Sequence, residues 1–568
     1  MYIDEVPNRN SRPAILLRAS RREGKKTVKK TLANMTDWPK ELVNTIRSVL
    51  KGETMVPKDG LFAIERTMPH GHVEAVLGGM RRLGFEGMIA SKRCRERDLV
   101  VAMVVQRLIA PCSKLATVRD WHDTTLGEEL GVLDASEDEL YGALDWLLKR
   151  QKRIENKLAK KHLAEGAAVL YDVTSSTYYG RTCPLAAWGN NRDGTKNLCI
   201  AYGLLADREG RPISVEVYAG NTGDPSTIPE QVDKLRGRFG LSRVVLVGDR
   251  GMLTNTQIET LRRHRGVGWI SALRSEGIRS LVESGDLQLS LFDEQNLAEI
   301  TSADFPGERL MACYNPLLAQ DRKRTREELL DETEKRLSTI DAQVRRRTKK
   351  PLNAAEIGVK VGRVTNRYKV GKHFKLTIED NHFTFERDEA SIAQEAGLDG
   401  IYVVRTSEAR KDFSKEETVR TYKGLAQVEQ AFRCLKGVDL RVRPIHHRTP
   451  DRVRAHVFLC TLAYYVEWHM RKALASVLFE DEELTEARAT RDPVAKAEPS
   501  NAVKLKKASK LTPDGWPVQS LQSLMKTLGT RCRNTCRAGN DKSRVTFYEL
   551  TEPTPFQAHV FQLLGHSP

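Results

Sequence analysis

The sequence predicts an α/β protein: a mixed sheet in the order β-β-β-α-β-α-β, carrying a β-rich insertion and preceded by an α-helical N-terminal domain. Three observations predict it. The runs AAVLYDV (167–173), NLCIAYGLLAD (197–207) and RPISVEVYAGN (211–221) are apolar and strand-length, and the last two are joined by the turn Arg208-Glu209-Gly210. They read as three consecutive antiparallel strands. Helical periodicity then alternates with two further short apolar runs, RVVLVGD (243–249) and GWISALR (268–274), which reads as two parallel crossovers. Before residue 166 the apolar residues recur instead at three- and four-residue steps.

The elements follow in order. Residues 1–71 carry two basic strands within 13–36, joined at Glu23-Gly24, and a short helix over 40–51. A basic hairpin suits phosphate contact, or a simply solvated face. Residues 72–165 form several short helices with Arg81, Arg82, Arg107, Lys114 and Arg119 among them, as a DNA-binding domain would. The catalytic-type sheet occupies 166–275 and resumes over 400–475. Between them, 276–399 is an insertion: a β-rich start, a long charged helix over 319–350, and two further strands. Residues 476–568 are a basic C-terminal region, polar and partly flexible over 480–515, suited to dimerisation or DNA contacts.

Composition bounds the function. At 568 residues the chain exceeds one ordinary core, so several domains are expected. No apolar run approaches the roughly 18 residues of a bilayer span, and MYIDEVPNRNSRP lacks a signal-peptide core. A cytoplasmic, membrane-free protein is expected. The nine cysteines are odd in number and scattered, without a C-x2-C pair, which excludes a disulfide framework and a zinc module. A net charge of +17, from 92 basic and 75 acidic residues, points to a polyanion partner, nucleic acid first.

Three carboxylates carry the chemistry. Asp172 and Asp249 each end an apolar strand run, and strands one and four of this order lie side by side. Taken singly, each is also an ordinary turn or cap residue. Glu429 lies on the stretch from Ser414 to Gly437, which reads as one helix opened by a Ser414/Glu417 capping box, with Gly424 its weak link. Leu425, Val428, Phe432 and Leu435 form its apolar stripe, and Tyr422, Glu429, Arg433 and Lys436 a polar one. A surface Glu429–Arg433 pair is the alternative reading. Clustered carboxylates stay ionised together only when cations neutralise them, and hard oxygen donors favour magnesium or manganese. Two such ions suit displacement at a phosphodiester.

These residues resemble the DDE transposases of bacterial insertion sequences, in the branch with a tyrosine–arginine–glutamate–lysine signature and a β-rich insertion. The signature Y-x2-R-x3-E-x6-K is met by Tyr422, Glu429 and Lys436, with Leu425 at the arginine position; Arg420 and Arg433 are nearby cations. YDVTSS around Asp172 and GDRGM around Asp249 resemble the two aspartate motifs. The resemblance implies an RNase H-like core with Asp172, Asp249 and Glu429 as catalytic metal ligands. It also implies DNA contacts through Tyr422, Arg433 and Lys436, and a magnesium-dependent reaction, manganese being possible. The implied partners are transposon-end and target double-stranded DNA, bound by a homodimer near the bacterial nucleoid. A transposase-derived repressor and a metal-dependent nuclease without joining activity are the alternatives. The loop GNTGDPST (220–227), with Asn221 and Asp224 as possible helix caps, is read as structural. His446 and His447 are read as phosphate contacts, and Trp269 as core.

Overall fold

The computed structural model describes the chain except residues 10, 25, 54–61, 190–196, 496, 539–544 and 567–568. It divides into two compact units. The smaller comprises Met1–Met68 and Cys532–Glu552, the larger Pro69–Arg531 and Pro553–Pro568.

In the larger unit the first strand run becomes β1 (Ala168–Thr177), buried along its whole length although its second half is polar, because it lies inside the sheet with a strand on each side. β2 (Cys199–Ala206) and β3 (Pro212–Ala219) follow as antiparallel neighbours. The turn joining them needs Gly210 at φ +83°, and an added Cβ there would also meet the side chain of Gln427 at 2.8 Å. β4 (Val244–Val247) pairs parallel with β1, and β5 (Val267–Ala272) parallel with β4. Three antiparallel strands followed by two parallel ones is the expected order.

The insertion does not stand apart from this sheet. Its first strands, β6 (Leu297–Ile300) and β7 (Arg309–Tyr314), join β8 (Ile401–Thr406), which pairs antiparallel with β5. The sheet thus has eight strands in the order β6-β7-β8-β5-β4-β1-β2-β3. The charged helix runs Pro316–Arg346, and a further helix, Ala354–Tyr368, is opened by an Asn353/Glu356 capping box. Together with the hairpin Phe374–Glu379/His382–Arg387 these two helices enclose a separate small core around Leu337, Ile357, Val361 and Phe383.

The stretch read as one helix is two: α1 (Lys415–Lys423) and α2 (Leu425–Lys436), broken at Gly424. Ser414 accepts from the Glu417 N–H at 3.1 Å, but Glu417 turns away to Arg208 instead of closing the capping box. α2 lays Val428, Phe432 and Leu435 onto the sheet, with Phe432 edge-on to Tyr202. Behind it α3 (Pro450–Ala473) is buried almost all round, sharing one core with the helices of 72–165 and the sheet. The polar segment after it holds helices at Leu484–Thr490 and Asn501–Ser509. Between them the Val494 carbonyl accepts from Lys423 Nζ (2.9 Å) and Asn315 Nδ2 (3.2 Å).

Among the described residues no single helix is long and apolar enough to cross a membrane, and all nine cysteines are free thiols. The smaller unit holds the strands Tyr2–Val6, Ala14–Glu23 and Lys26–Asn34 in one sheet. A second sheet orders Thr546–Leu550, Cys532–Ala538 and Phe62–Pro69. Distant parts of the chain therefore meet in one small unit.

Candidate active site

The parallel pairing of β1 and β4 matches Ala168 with Val245, Val169 with Leu246 and Leu170 with Val247. Carried two residues further, the same register sets Asp172 opposite Asp249. α2 packs against β1, and its outward face carries Glu429 and Arg433 beside the strand that bears Asp172. All six residues singled out from the sequence, Asp172, Asp249, Tyr422, Glu429, Arg433 and Lys436, line one open cleft of about 710 Å³. Thr174, Lys423, Leu425 and Arg443 line it too.

Each carboxylate is held differently. Asp172 is nearly buried, and its Oδ1 accepts from the Val173 N–H at 2.8 Å. Asp249 is half-buried; its Oδ1 accepts from Gly251 (3.0 Å) and Met252 (2.7 Å), so it also forms the turn that its other reading implied. Its second oxygen, Oδ2, makes no hydrogen bond with those two amides. Glu429 is exposed and makes no ion pair among the described residues, so the surface pair with Arg433 does not form. Tyr422 sits within the field of two of the carboxylates. Burial pushes its hydroxyl up to about 12, with Asp249 and then Glu429 adding to the rise against Arg250. It therefore remains a protonated donor at neutral pH.

The cations differ as well. Lys436 Nζ donates to the Ser175 carbonyl at 2.5 Å, which fixes the end of α2 on β1. Arg443 Nε donates to the Lys436 carbonyl at 3.2 Å. Arg433 is exposed. Lys423 is spent on the carbonyls of Val494 and Ala495. Leu425 is buried at the cleft wall, in the packing stripe. Arg420, close in sequence, donates instead to the Arg491 carbonyl at 3.1 Å. Sequence reasoning missed Thr174 and Arg443. Thr174 had a signal, since it lies two residues after Asp172 on the same strand face; Arg443 had none beyond a basic stretch.

Four secondary readings meet the structure differently. Trp269 lies in the core, as expected. No side chain caps the short turn of helix Asp224–Thr227 or the helix Ile228–Asp233 that follows it, so Asn221 and Asp224 do not act as caps there. His446 is exposed. His447 is not a cationic phosphate contact. Burial, followed by Lys114, Arg107 and Arg452, lowers it to about 3, and its ring packs on Tyr141 and His456.

Among the described residues one group has donor atoms that all lie within 4.8 Å of one another, and it is outside the cleft: Cys434, Asp439 and Glu467. It is an ion-pair cluster. Arg471 donates to Glu467 at 2.6 Å and reaches Glu480 at 2.8 Å and Asp439 at 3.3 Å. Burial, then Glu467, pushes the Cys434 thiol up to about 12.

Comparison with known proteins adds three findings. The family model described as the transposase DDE domain matches residues 165–466, more than half of the chain and inclusive of every cleft residue. Comparison with curated proteins gives no match. A solved structure, the piggyBac transposase synaptic complex with hairpin DNA, superposes with a TM-score of 0.34 and 11% identity, over 81% of this chain and 76% of that one. At that score the likeness carries no argument.

Proposed function

Because the chain belongs to the DDE transposase family, we propose that it cleaves DNA at the ends of its mobile element and joins the freed strand to target DNA. One observation carries the reading: Asp172 opposite Asp249 in register, with Glu429 on the helix beside them, in one cleft rimmed by Arg433, Lys436 and Arg443. The strand order around β1 supports an RNase H-like core.

The residues fit divalent cations. Among the described residues the acidic donors of the cleft are three carboxylates, and neither histidine nor cysteine lines it, which suits magnesium or manganese. A divalent cation held there supplies Lewis-acid activation of the attacking oxygen and relief of charge at the phosphate. Asp172, nearest the sheet interior, and its neighbours Asp249 and Glu429 would hold it. Arg433 and Arg443 orient the backbone of the bound strand by its phosphates, and Lys436 aligns α2 with β1. Tyr422, kept protonated, donates a hydrogen bond to a phosphate oxygen. In the first step a water oxygen bonds to phosphorus as the bond to the 3′ oxygen breaks, leaving a 3′ hydroxyl. In the second that hydroxyl attacks a target phosphate, displacing another 3′ oxygen, without a covalent enzyme intermediate.

Duplex contact is assigned to the smaller unit. The ribbon Ala14–Glu23/Lys26–Asn34 is exposed on both faces over residues 20–24 and 26–32, and Arg21, Arg22, Lys26, Lys29 and Lys30 make no ion pair among its described residues. A two-stranded ribbon has the width of a major groove. Changing Lys26, Lys29 and Lys30 together to Ala is expected to reduce the slope of log K against log salt by about 2 to 3, at roughly 0.9 for each phosphate no longer neutralised. Fluorescence anisotropy at several salt concentrations reads it; an unchanged slope removes the ribbon from the interface.

The function itself is tested with purified protein, magnesium and DNA bearing the repeats that flank its gene. Joined products support transposition. Cutting without joining supports a nuclease, and binding alone a repressor. Light scattering of the protein–DNA complex tests whether a dimer pairs two ends.

A further inference from the structure

Past the cleft, β1 and the chain following α2 run side by side. Lys436 is bound to the Ser175 carbonyl, Arg443 to the Lys436 carbonyl, and Ile445 bridges to Tyr178. Where this track ends, two aromatic rings stand at the surface. Tyr179 is 57% exposed, and its ring centroid lies 5.9 Å from that of His446, with the planes at 50°. Tyr179 is seven residues beyond Asp172, roughly 23 Å along an extended strand. His446 is three residues beyond Arg443, which lines the cleft itself.

Both rings are mounted rigidly. The Tyr179 N–H donates to the Ile445 carbonyl at 2.9 Å. Ile445 is wholly buried, which anchors His446 from behind. Tyr178, also buried, donates its hydroxyl to the His447 carbonyl (3.1 Å) and accepts from the Cys183 N–H (3.2 Å). A Cβ on Gly180 would fall 2.1 Å from that hydroxyl, so the loop closes on Tyr178 and leaves Tyr179 outside. A large exposed ring on an immobile backbone loses little entropy on binding a flat partner. Arg181 and Arg448, each two residues from one member of the pair, are exposed and make no ion pair among the described residues.

We propose that Tyr179 and His446 form a stacking platform for one unpaired base of the DNA strand that leaves the carboxylate cleft, with Arg181 and Arg448 at the adjoining phosphates. This rests on the reading of the cleft as a DNA-cleaving site. Aromatic faces flanked by guanidinium groups suit single-stranded nucleic acid, since every base offers a π-face and every nucleotide a phosphate. The platform is a positioning device. It touches no reacting atom, but fixes how far the strand is drawn across Asp172.

The test uses the full chain without divalent metal and a terminal-repeat duplex with a short single-stranded overhang. The fluorescent base 2-aminopurine is placed at successive overhang positions, and anisotropy on the same samples reports binding. Stacking quenches 2-aminopurine at one position in the wild type. Tyr179→Ala should abolish that quench and weaken overhang binding about 10-fold, the low end of what stacking on one ring is worth, while blunt-duplex binding holds. Tyr179→Trp should restore both. Tyr179 is exposed, so an unchanged melting temperature is expected to show that the Ala variant folds. Binding with the same fluorescence in wild type and Tyr179→Ala overturns the platform but leaves the proposed function standing. Absence of any DNA binding by the wild type overturns both.

Discussion

Glu429→Gln is expected to lower strand cleavage by about a thousandfold or more, with DNA affinity unchanged or slightly higher. Glutamine keeps the size of the side chain and its place on α2. On the proposed function it removes a charge that would help hold a divalent cation, a contribution of several kcal/mol to charge relief in the transition state. Because Glu429 is exposed and has no ion-pair partner among the described residues, the substitution breaks no packing, and the melting temperature should stay within a degree or two. Asp172→Asn and Asp249→Asn should be as inactive, although Asp249 also caps its turn through Gly251 and Met252. Gel analysis of end-labelled DNA over a magnesium series reads the effect. Cleavage by Glu429→Gln within tenfold of wild type would exclude Glu429 from the reaction. The same variant relieves one carboxylate near Tyr422, so its hydroxyl should titrate lower than in the wild type.

Arg471→Ala is expected to destabilise the larger unit by about 3–5 kcal/mol, the cost of leaving a buried charge without its partner. Glu467 is wholly buried on α3, and Arg471 alone bridges it to Asp439 and Glu480. Cys434 of α2 lies against the same group, so the cluster fastens the glutamate-bearing helix to the central one. Burial raises the Glu467 carboxyl to about 7 against the pull of Arg471. A carboxyl raised in the folded state adds stability that is fully present below its unfolded value of about 4.5 and is lost as pH rises through about 7. Wild-type stability should therefore fall across that window, and Glu467→Gln should flatten the fall. In Arg471→Ala the fall should steepen, since nothing offsets the buried carboxylate at high pH. Chemical denaturation at pH 5 and pH 7.5 checks both; an equal loss at the two values would remove Glu467 from the effect.

The order of the sheet was legible because β1 to β5 alternate with turns and helical repeats, and each apolar run is too short for a helix. The break at Gly424 was legible only as a weak link. Whether a helix runs through a glycine depends on what packs at that point, and here Leu170 lies beneath it. The joining of β6 and β7 to the sheet edge was not legible, because an edge strand's partner lies far along the chain and leaves no periodicity behind. The same holds for Cys532–Ala538. It read only as part of a basic C-terminal region, yet it is a strand between Phe62–Pro69 and Thr546–Leu550. His447 read as a basic-loop cation, and its burial against Tyr141 and His456 could come only from the fold.

By itself the sequence determined the composition of the cleft: Asp172 and Asp249 at the ends of apolar runs, and Tyr422, Glu429, Arg433 and Lys436 at helical spacing. Strand alternation and helical period are local properties, so residue identities suffice to place those side chains on a strand end or a helix face. Only the tertiary structure decided that β1 and β4 pair in the register that matches Asp172 with Asp249, and that α2 turns Glu429 toward them. It likewise put Arg443 on the cleft rim and Tyr179 beside His446. Those outcomes depend on which distant surfaces bury one another, and burial is settled by the whole chain at once.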